Sequence, residues 1–471
     1  MNEQLIGRKA EREALLEYLN SDRSEFIAVY GRRRVGKTFL IKQTVKHFDF
    51  MFTGAENVSL EEQLLNFHLR LSKYYPQTVR CQTWLESFNQ LERYLETLPE
   101  GNKVIFIDEL PWLDTARSGF VTALELFWNG WAALRSDIKL IVCGSAASWM
   151  LDNLINDYGG LYHRVTHQIR LNPFTLAESK EFFDTYGFHY SEVNIAEIYM
   201  TLGGIPYYYS LMKQDLSVAQ NIARLVIDPN GELNNEMHLL FRSLFKKSDD
   251  YVRIIEALSM KNKGLTRSEL LKTLKVSNNA RFTQMLNELE KCGFIRYFTP
   301  YDGKKRQLTY QLIDPFVHFY YQMMVKNKLQ SAQQWELMQN SPLYNTWAGL
   351  AFEILCFNHT SQILSALGIS GIQTNIYSWR TPNDVEDGAQ IDMVINRADR
   401  CVNICEMKYS RDEYDLQKAE ADKLQHRLNC FAKYAEQRKA LILTMVTCFG
   451  VKKNMYSSLI QREVTLHDLF Q

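Results

Sequence analysis

The chain has 471 residues, which exceeds one ordinary domain and predicts two to four domains. Apolar residues make up 46% of it and aromatic residues 13%, so the composition favours packed cores and excludes a disordered chain. Lys and Arg total 54, and Asp and Glu also total 54, so the formal net charge is zero. Any attraction to nucleic acid must therefore come from a local basic surface.

The cysteines and the amino-terminal segment indicate the cellular location to expect for the protein. None of the eight cysteines forms a CxxC pair, and several, such as Cys143, lie inside apolar runs. This pattern is typical of reduced, buried thiols in a cytosolic protein, and it disfavours a disulfide framework or a zinc site. The amino-terminal segment lacks a basic stretch followed by an apolar one, and no apolar run approaches the roughly 18 residues of a membrane span. We expect a cytoplasmic protein with no membrane contact.

The first 173 residues alternate short β-rich runs with longer amphipathic stretches. The predicted strands are 26–30, 50–53, 104–107, 140–143 and 168–171, and the predicted helices include 60–74 and 84–98. Strands separated by helices predict βαβ units around a parallel sheet, which is an α/β fold. Residues 174–248 are predicted to be mostly helical, with a break at Gly203-Gly-Ile-Pro206, and we interpret them as a helical lid subdomain.

A phosphate-binding motif follows the first strand. The eight residues after this strand match the pattern GxxxxGK[ST] in full: Gly31, Arg32, Arg33, Arg34, Val35, Gly36, Lys37 and Thr38. Glycines in such a loop let backbone N–H groups close around phosphate oxygens, and the following helix adds a favourable dipole. Lys37 is expected on the β- and γ-phosphates and the Thr38 hydroxyl on Mg²⁺. The motif predicts a P-loop that binds ATP and Mg²⁺.

Two later strands end in polar residues that suit hydrolysis. Asp108 and Glu109 end the strand 103–107; Asp108 is expected in the Mg²⁺ shell and Glu109 beside the attacking water. Ser145 follows the strand near 140–143 and is either a sensor of the γ-phosphate or a plain loop serine. Arg164 is either an arginine finger, acting within the chain or on a neighbouring copy, or a surface arginine. With the P-loop, these residues predict an ATPase.

About the first 240 residues resemble the archaeal-type AAA ATPase family, which is related to STAND and replication-initiator ATPases. The resemblance rests on five segments in this order: Ile6-Gly-Arg8, the P-loop with Val29-Tyr30 before it, Asp108-Glu109, Gly144-Ser145 and Gly203-Gly-Ile-Pro206. It implies ATP binding and hydrolysis, and it places residues 6–8 beside the adenine.

Residues 249–312 predict three helices followed by a hairpin, which is the plan of a winged helix. The first helix is predicted at 252–259, a capping box of Thr266 and Glu269 begins the second, and the third spans 278–292. Strands at 294–298 and 307–312 flank a Gly-Lys-Lys-Arg turn.

The predicted winged helix is locally basic. Between residues 251 and 310 there are twelve Lys or Arg and five Asp or Glu, a net charge of +7, and the basic residues include Lys272, Lys275, Arg281, Lys304, Lys305 and Arg306. This charge suits contact with DNA phosphates and docking of the third helix in the major groove, although Glu288 and Glu290 on that helix oppose it. Two interpretations stay open: DNA binding, and a rigid lid or protein contact.

Residues 313–471 predict a second α/β domain with an acidic site. Asp392 lies in the apolar strand 391–395, and after a turn at 397–400 the strand 402–406 ends in Glu406, with Lys408 two residues on. If the strands pair as a hairpin, Asp392 and Glu406 can share a divalent metal. Lys408 can then help to activate water or stabilise charge on a phosphorane.

This D-x13-E-x-K arrangement resembles the PD-(D/E)XK nuclease superfamily. The segment 347–353 resembles the preceding helix of that superfamily, whose glutamate, here Glu353, often completes the metal shell. No proline precedes Asp392, and Lys423 and Gln425 are equal candidates for the supporting polar residue of the later helix, predicted at 415–428. The predicted fold class is α/β: a P-loop sheet over 1–173, a helical lid over 174–248, a winged helix over 249–312 and a restriction-endonuclease-like domain over 313–471.

The order of these domains resembles ATPases that end in a nuclease-like family. It implies a DNA-processing or defence-type protein in which ATP controls Mg²⁺-dependent DNA cleavage. The alternative is a STAND-like switch or scaffold that binds ATP, recruits a partner and cuts nothing. The sequence leaves open the DNA substrate and the formation of a homo-oligomer.

Overall fold

The computed structural model describes residues 4–155, 164–245, 247–261, 264–299, 301, 308–339, 341–381, 388–435 and 438–471. The chain divides into two compact units, Met1–Pro173 and Phe174–Gln471. Over the described ranges, no helix has both the length and the apolarity for a bilayer crossing. Lys304, Lys305 and Arg306 of the predicted basic turn lie outside the described residues.

The first unit is built on a parallel sheet. Its strands are β1 (Glu25–Tyr30), β2 (Phe50–Thr53), β3 (Lys103–Asp108), β4 (Ile138–Gly144) and β5 (His167–Arg170). Its helices are α1 (Lys9–Leu19), α2 (Lys37–Thr44), α3 (Leu60–Leu71), α4 (Trp84–Glu96), α5 (Phe120–Gly130) and α6 (Ala147–Trp149), with shorter helical segments at Leu110–Trp112, Ala132–Leu134 and Met150–Ile155. The strand and helix predictions for this part are confirmed, with bounds that differ by at most three residues.

The strands of this sheet lie in the order β2-β3-β4-β1-β5, and every pair is parallel. Every residue of β1 and β4 is buried. Parallel strands are covered on both faces, which explains why these segments are apolar without alternation. Because all five strands run the same way, the carboxyl ends of β1, β3 and β4 meet at one edge of the sheet.

Apolar packing fixes the positions of α1 and α2, the helices on either side of β1 and the P-loop in the chain. Leu15 of α1 and Ile41 of α2 pack with Ile27, Phe106 and Ile141 of the sheet in one buried cluster. Each such side chain contributes about 1.5–3 kcal/mol on full burial. The amino terminus of α2 is thereby held rigidly against the end of β1.

The second unit joins helices to two further sheets. Its helices are α7 (Leu176–Thr185), α8 (Glu192–Leu202), α9 (Pro206–Ser210), α10 (Val218–Ile222), α11 (Glu236–Leu244), α12 (Ser248–Ser259), α13 (Arg267–Leu274), α14 (Ala280–Lys291), α15 (Pro315–Phe319), α16 (Ala332–Met338), α17 (Pro342–Asn358), α18 (Thr360–Ala366) and α19 (Lys418–Tyr434). Shorter or wider helical segments span Ala223–Ile227, Tyr320–Lys326, Ser457–Leu459 and His467–Phe470. Its strands are β6 (Leu265–Thr266), β7 (Ile295–Phe298), β8 (Thr309–Leu312), β9 (Thr374–Arg380), β10 (Gln390–Arg397), β11 (Cys401–Lys408), β12 (Ala440–Thr447) and β13 (Arg462–Thr465).

Helices α12 to α14 lie beside a small antiparallel sheet of order β6-β8-β7. The predicted capping box is confirmed, since the Thr266 hydroxyl accepts from the Glu269 N–H and the Glu269 carboxylate accepts from the Thr266 N–H. Phe282, Leu286 and Leu289 form the buried face of α14. The strand β6 was not predicted, because two residues are too few to show a period.

The C-terminal sheet has the order β13-β12-β11-β10-β9 and mixed direction. Strands β9, β10 and β11 are antiparallel neighbours, and β11, β12 and β13 are parallel neighbours. The predicted pairing of β10 with β11 is thus confirmed. Leu424 and Phe431 of α19 pack with Val394 and Ile404 of the sheet in one buried cluster.

Polar contacts tie α7 and α8 to α17, to His359 after it and to Tyr409 after β11 within the second unit. Burial lowers the pKa of His359 to about 4, so its ring is neutral at physiological pH. Its Nε2 accepts a 2.9 Å hydrogen bond from the Leu176 N–H. The Glu197 carboxylate accepts from the Tyr409 hydroxyl at 3.1 Å and from the Tyr344 hydroxyl at 3.4 Å.

The break at Gly203-Gly-Ile-Pro206 depends on close backbone contact. The Phe174 N–H donates to the Gly204 carbonyl at 2.6 Å, and a Cβ at Gly204 would lie 2.1 Å from the Phe174 carbonyl oxygen. The three nearest atoms that a Cβ at Gly204 would meet are backbone atoms of Phe174, so no flexible side chain is there to move aside. Glycine is therefore required at this position for reasons of space.

We expect Gly204→Ala to lower the free energy of unfolding by about 1–3 kcal/mol, the usual cost of overpacking. Urea or thermal unfolding of the full chain measures it. Gly349→Ala is the matched control, because a Cβ at Gly349 meets nothing within 4 Å and alanine is the better helix former by up to about 1 kcal/mol. Equal stability of the two variants would contradict this account of Gly204.

Candidate functional site

The P-loop connects the end of β1 to the start of α2. Gly31 has φ 152° and Gly36 has φ 95°, both in the region that favours glycine. A Cβ at Gly31 would lie 2.2 Å from the Leu171 carbonyl oxygen, so the backbone of β1 and the segment after β5 leave no room for a side chain. A Cβ at Gly36 meets nothing within 4 Å, so glycine is favoured there by backbone conformation alone.

The Lys37 ammonium is folded back over this loop. Its side chain is only 5% exposed, and Nζ donates to the carbonyls of Gly31 at 2.9 Å and Arg32 at 3.0 Å. A third hydrogen bond, of 3.3 Å, reaches the Ser145 hydroxyl at the end of β4. An ammonium has three donors and no acceptor, and all three donors are used here. A phosphate oxygen in the loop would be a stronger, charged acceptor for the same donors.

Thr38 and Asp108 form the second contact across the sheet edge. The Thr38 hydroxyl donates to Asp108 Oδ2 at 2.8 Å, and Asp108 Oδ1 accepts from the Glu109 N–H at 2.9 Å. Asp108 is 6% exposed. A hydroxyl and a carboxylate oxygen held this close suit Mg²⁺, which takes one or two carboxylates plus phosphate and water oxygens. The residues present therefore fit the Mg²⁺ that accompanies ATP.

Glu109 and Ser145 complete the network. The Ser145 hydroxyl donates to Glu109 Oε1 at 2.7 Å, and the Ser145 N–H donates to Glu109 Oε2 at 3.2 Å. Glu109 has φ 49°, a left-handed conformation that costs energy for a residue with a side chain. The structure thus brings together Lys37, Thr38, Asp108, Glu109 and Ser145 at the edge where β1, β3 and β4 end.

The other predicted residues of the site differ in how far they are buried. Arg32 is buried, and Arg33, Arg34 and Val35 continue the loop with Val35 buried and the two arginines partly exposed. Arg164 is exposed in the turn ahead of β5. Its predicted role as an arginine finger stays a prediction.

Arg8 braces the P-loop, which sequence reasoning did not show. It is 4% exposed, and Nη2 donates to the Asn172 carbonyl at 2.7 Å and to the Val35 carbonyl at 3.5 Å. The resemblance to archaeal-type ATPases implied only a position beside the adenine. Gly7 at φ 59° and Arg8 at φ 55° form the turn that directs this side chain inward.

A second group of charged side chains lies on the C-terminal sheet. In the antiparallel ladder of β10 and β11, Met393 is opposite Cys405, and Asp392 and Glu406 are the next residues of the two strands beyond this last pair. Residues opposite one another have Cβ atoms about 4.5–5.5 Å apart and share a face of the sheet. Lys408 alternates onto the face of Glu406.

Glu406 is already paired with two cations. Its Oε1 lies 2.9 Å from Lys408 Nζ, and its Oε2 accepts from Arg427 Nη1. Lys408 also lies 3.0 Å from Glu420 Oε1. Burial lowers the pKa of Lys408, but Glu406 and Glu420 outweigh burial and raise that pKa above its ordinary value, so the side chain is an ammonium cation at neutral pH.

The supporting residue on α19 differs from both candidates of the sequence analysis. Lys423 lies 3.8 Å from Glu420, and Gln425 donates to Asn429 at 3.0 Å, whereas Arg427 contacts Glu406. Arg427 and Glu420 are seven residues apart and therefore share one face of the helix. That spacing was the signal that could have identified both.

The predicted metal ligands Glu353, Asp392 and Glu406 are not gathered into a metal site. Within the described ranges, no three His, Cys, Asp or Glu side chains lie together so that they could hold a metal ion. The oxygens are of the right chemistry for Mg²⁺, but cations of the chain itself neutralise Glu406. In this conformation the acidic site does not fit a metal.

The site geometry agrees with comparisons with known proteins. Residues 5–212 match the model of a family described as an ATPase domain predominantly from Archaea. An uncharacterized protein of Methanocaldococcus jannaschii is 27% identical over 353 residues, which cover 74% of this chain and 75% of that protein.

Two solved structures are similar to this chain, and the first of them shows the fold. The Walker-type ATPase of Pyrococcus abyssi matches with a TM-score of 0.51 and 21% identity, over 68% of this chain and 97% of its own. The ORC2 protein of Aeropyrum pernix, in its ADPNP–ADP complexes, matches with a TM-score of 0.42 and 15% identity, over 76% and 96% respectively. With the complete P-loop and the family match, we conclude that residues 5–212 of this chain are a P-loop ATPase domain.

Proposed function

We propose that this protein hydrolyses ATP at the edge where β1, β3 and β4 end, with Lys37, Thr38, Asp108 and Glu109 as the working residues. The contact of 2.8 Å between Thr38 and Asp108 is the observation that carries this proposal. It joins the amino terminus of α2 to the end of β3, so the phosphate loop and the acidic strand end act on the same ligand.

The side chains divide the work by charge. Lys37 exchanges the carbonyls of its own loop for β- and γ-phosphate oxygens. Thr38 and Asp108 hold Mg²⁺, which supplies positive charge to the phosphates. Glu109 orients the attacking water, and its carboxylate is kept in place by Ser145.

Ser145 connects Lys37 to Glu109, which supports its proposed role as a sensor. Its hydroxyl accepts from Lys37 and donates to Glu109. A γ-phosphate that draws Lys37 away removes one partner of this hydroxyl. The position of Glu109 therefore depends on whether a triphosphate is bound.

We expect Lys37→Ala to weaken ATP binding by at least about 30-fold, because the loss of one buried charged partner costs 2 kcal/mol or more. Titration with a fluorescent ATP analogue and a phosphate-release assay measure binding and turnover. Lys42→Ala is the matched control, since Lys42 is exposed on the same helix and should change neither. Wild-type turnover by the Lys37 variant would defeat the assignment.

A second function is proposed for the C-terminal domain, namely Mg²⁺-dependent cleavage of DNA. Support comes from the antiparallel pairing of β10 with β11, in which Asp392 and Glu406 follow the last pair, Met393 and Cys405, and from the contact of Lys408 with Glu406. Asp392, Glu406 and Glu353 would act as metal ligands only in a conformation in which Glu406 is released from Lys408 and Arg427. The Lys408 ammonium suits stabilisation of negative charge on the phosphorus oxygens.

The unit of residues 249–312 is proposed as a DNA-binding winged helix. Lys272, Lys275 and Arg281 are exposed on or beside its helices, where they can meet phosphates. The opposing Glu288 accepts hydrogen bonds from Tyr251 and Gln284 within the same unit. These two hydrogen bonds stabilise the unit, so Glu288 has a structural role in addition to the repulsion of phosphate expected from its charge.

In this proposal, ATP binding changes the conformation of the chain and thereby controls cleavage. The protein is proposed to be cytoplasmic and to act either alone or as a homo-oligomer. A γ-phosphate can bias such a change only through contacts that differ between two states. The Ser145 network is the contact we assign to that difference. The competing function is a STAND-like switch that binds ATP, recruits a partner and cuts nothing.

We expect the wild-type chain to nick plasmid DNA with Mg²⁺ or Mn²⁺, and Asp392→Asn to reduce nicking by about 10- to 100-fold or more, as for groups that govern metal ligation. Gel assays with and without ATP measure it. Asp399→Asn is the matched control, because Asp399 is exposed on the same hairpin and pairs with Arg397. If the wild type nicks DNA no more than Asp392→Asn does, the proposed cleavage function is wrong and the STAND-like switch remains as the proposed function.

A further inference from the structure

Gln63 is a fully buried glutamine near the start of α3. Its exposed fraction is 0%, and a capping box of Ser59 and Glu62 begins the helix just ahead of it. One turn later, Phe67 packs against Phe50 of β2, with the two ring centroids 5.3 Å apart. The sharp helix start and this packing therefore hold the Gln63 side chain at a fixed place beside the sheet.

The Gln63 amide joins the segments that follow β2 and β3. Its Nε2 donates to the Ala55 carbonyl at 2.7 Å, and its Oε1 accepts from the Ala55 N–H at 3.2 Å. Nε2 also donates to the Trp112 carbonyl at 3.0 Å. A side-chain amide has two N–H donors, and both are used here. An apolar side chain at this position would leave two carbonyls and one N–H without these bonds.

Both of these segments contact Glu109. A Cβ at Gly54, the residue before Ala55, would lie 2.9 Å from the Glu109 carbonyl oxygen, so the two backbones pack closely there. The same carbonyl accepts from the Trp112 N–H at 3.0 Å, which closes a tight turn. Gln63 therefore holds the last residue of this turn directly and its first residue through Ala55.

Glu109 needs such support because of its backbone conformation. Its φ of 49° is left-handed, which costs energy for a residue with a side chain and persists only where the surroundings fix it. Ser145, which follows β4, holds the carboxylate of Glu109 by two hydrogen bonds. Gln63 on α3 holds the main chain of the turn that Glu109 begins. The two parts of Glu109 are thus fixed by different elements.

We propose that Gln63 is a positioning residue for Glu109 in ATP hydrolysis. The proposal rests on the hydrolysis function proposed above and adds a residue on which its rate depends. Gln63 acts through the turn, so it governs the alignment of the attacking water and leaves the grip of the P-loop on phosphate unchanged. A displacement of about 1 Å at a reacting group can cost about 100-fold in rate.

The experiment compares Gln63→Leu with Gln90→Leu in the full chain. Gln90 of α4 is 8% exposed, and it makes the same pair of bonds with the backbone of one residue. Its Oε1 accepts from the Val79 N–H and its Nε2 donates to the Val79 carbonyl, both at 2.7 Å. Val79 lies between α3 and α4 in the chain, away from the strand ends of the ATP site. Gln90→Leu therefore controls for the loss of a buried amide as such.

We expect Gln63→Leu to lower kcat for ATP by about 10- to 100-fold and to leave the Kd of a fluorescent ATP analogue unchanged. Gln90→Leu should lower Tm by a similar amount and leave kcat unchanged. Hydrogen exchange over residues 110–113 should become faster in Gln63→Leu and stay as in the wild type in Gln90→Leu. If Gln63→Leu does not fold, Gln63→Asn keeps the amide but shortens its reach, and it should lower kcat by a smaller factor.

The outcomes separate this inference from the hydrolysis function. A wild type without ATP turnover overturns the proposed hydrolysis and, with it, the role of Gln63. Turnover by the wild type, with kcat unchanged in a folded Gln63 variant, overturns the role of Gln63 and keeps the hydrolysis. A loss of kcat that is as large in Gln90→Leu also overturns this role, because the effect is then a general loss of structure.

Discussion

The buried ammonium of Lys37 is the constraint on which the first site depends. A charge held at 5% exposure is costly unless it is well paired, and here the pairing comes from the carbonyls of the loop itself. That arrangement is possible because the loop turns sharply at Gly31 and Gly36. It leaves a cation, a ring of backbone groups and a helix amino terminus facing one ligand position, which is what a triphosphate requires.

The charged side chains of the two sites are balanced by different kinds of partner. In the first unit a parallel sheet gathers Asp108, Glu109 and Ser145 at one edge. Asp108 accepts from Thr38, and Ser145 joins Glu109 to the Lys37 ammonium. In the C-terminal sheet, Glu406 is satisfied by Lys408 and Arg427 of its own domain. The carboxylate of Glu406 is therefore neutralised by cations of the same domain.

Sequence patterns predicted the first unit well because its signals are local. An unbroken apolar run such as β1, a glycine loop and a helix start lie next to one another in the chain. The strands β9 and β13 were missed because they lie at the edges of the sheet and alternate only weakly. Arg427 was missed because its partner Glu406 lies on a different element, β11, and their contact depends on how α19 packs against the sheet. On α19, the sequence did not distinguish Lys423 from Gln425 as the supporting polar residue, whereas the helical face that contacts Glu406 carries Arg427.

The most direct test of the central claim is amide hydrogen exchange over residues 31–38 with and without Mg·ATP. Phosphate oxygens that accept hydrogen bonds from these amides should slow their exchange. The amides of α3, the helix that follows the edge strand β2, should exchange equally in both conditions. Exchange of residues 31–38 that stays unchanged at saturating Mg·ATP would contradict a loop that grips a triphosphate.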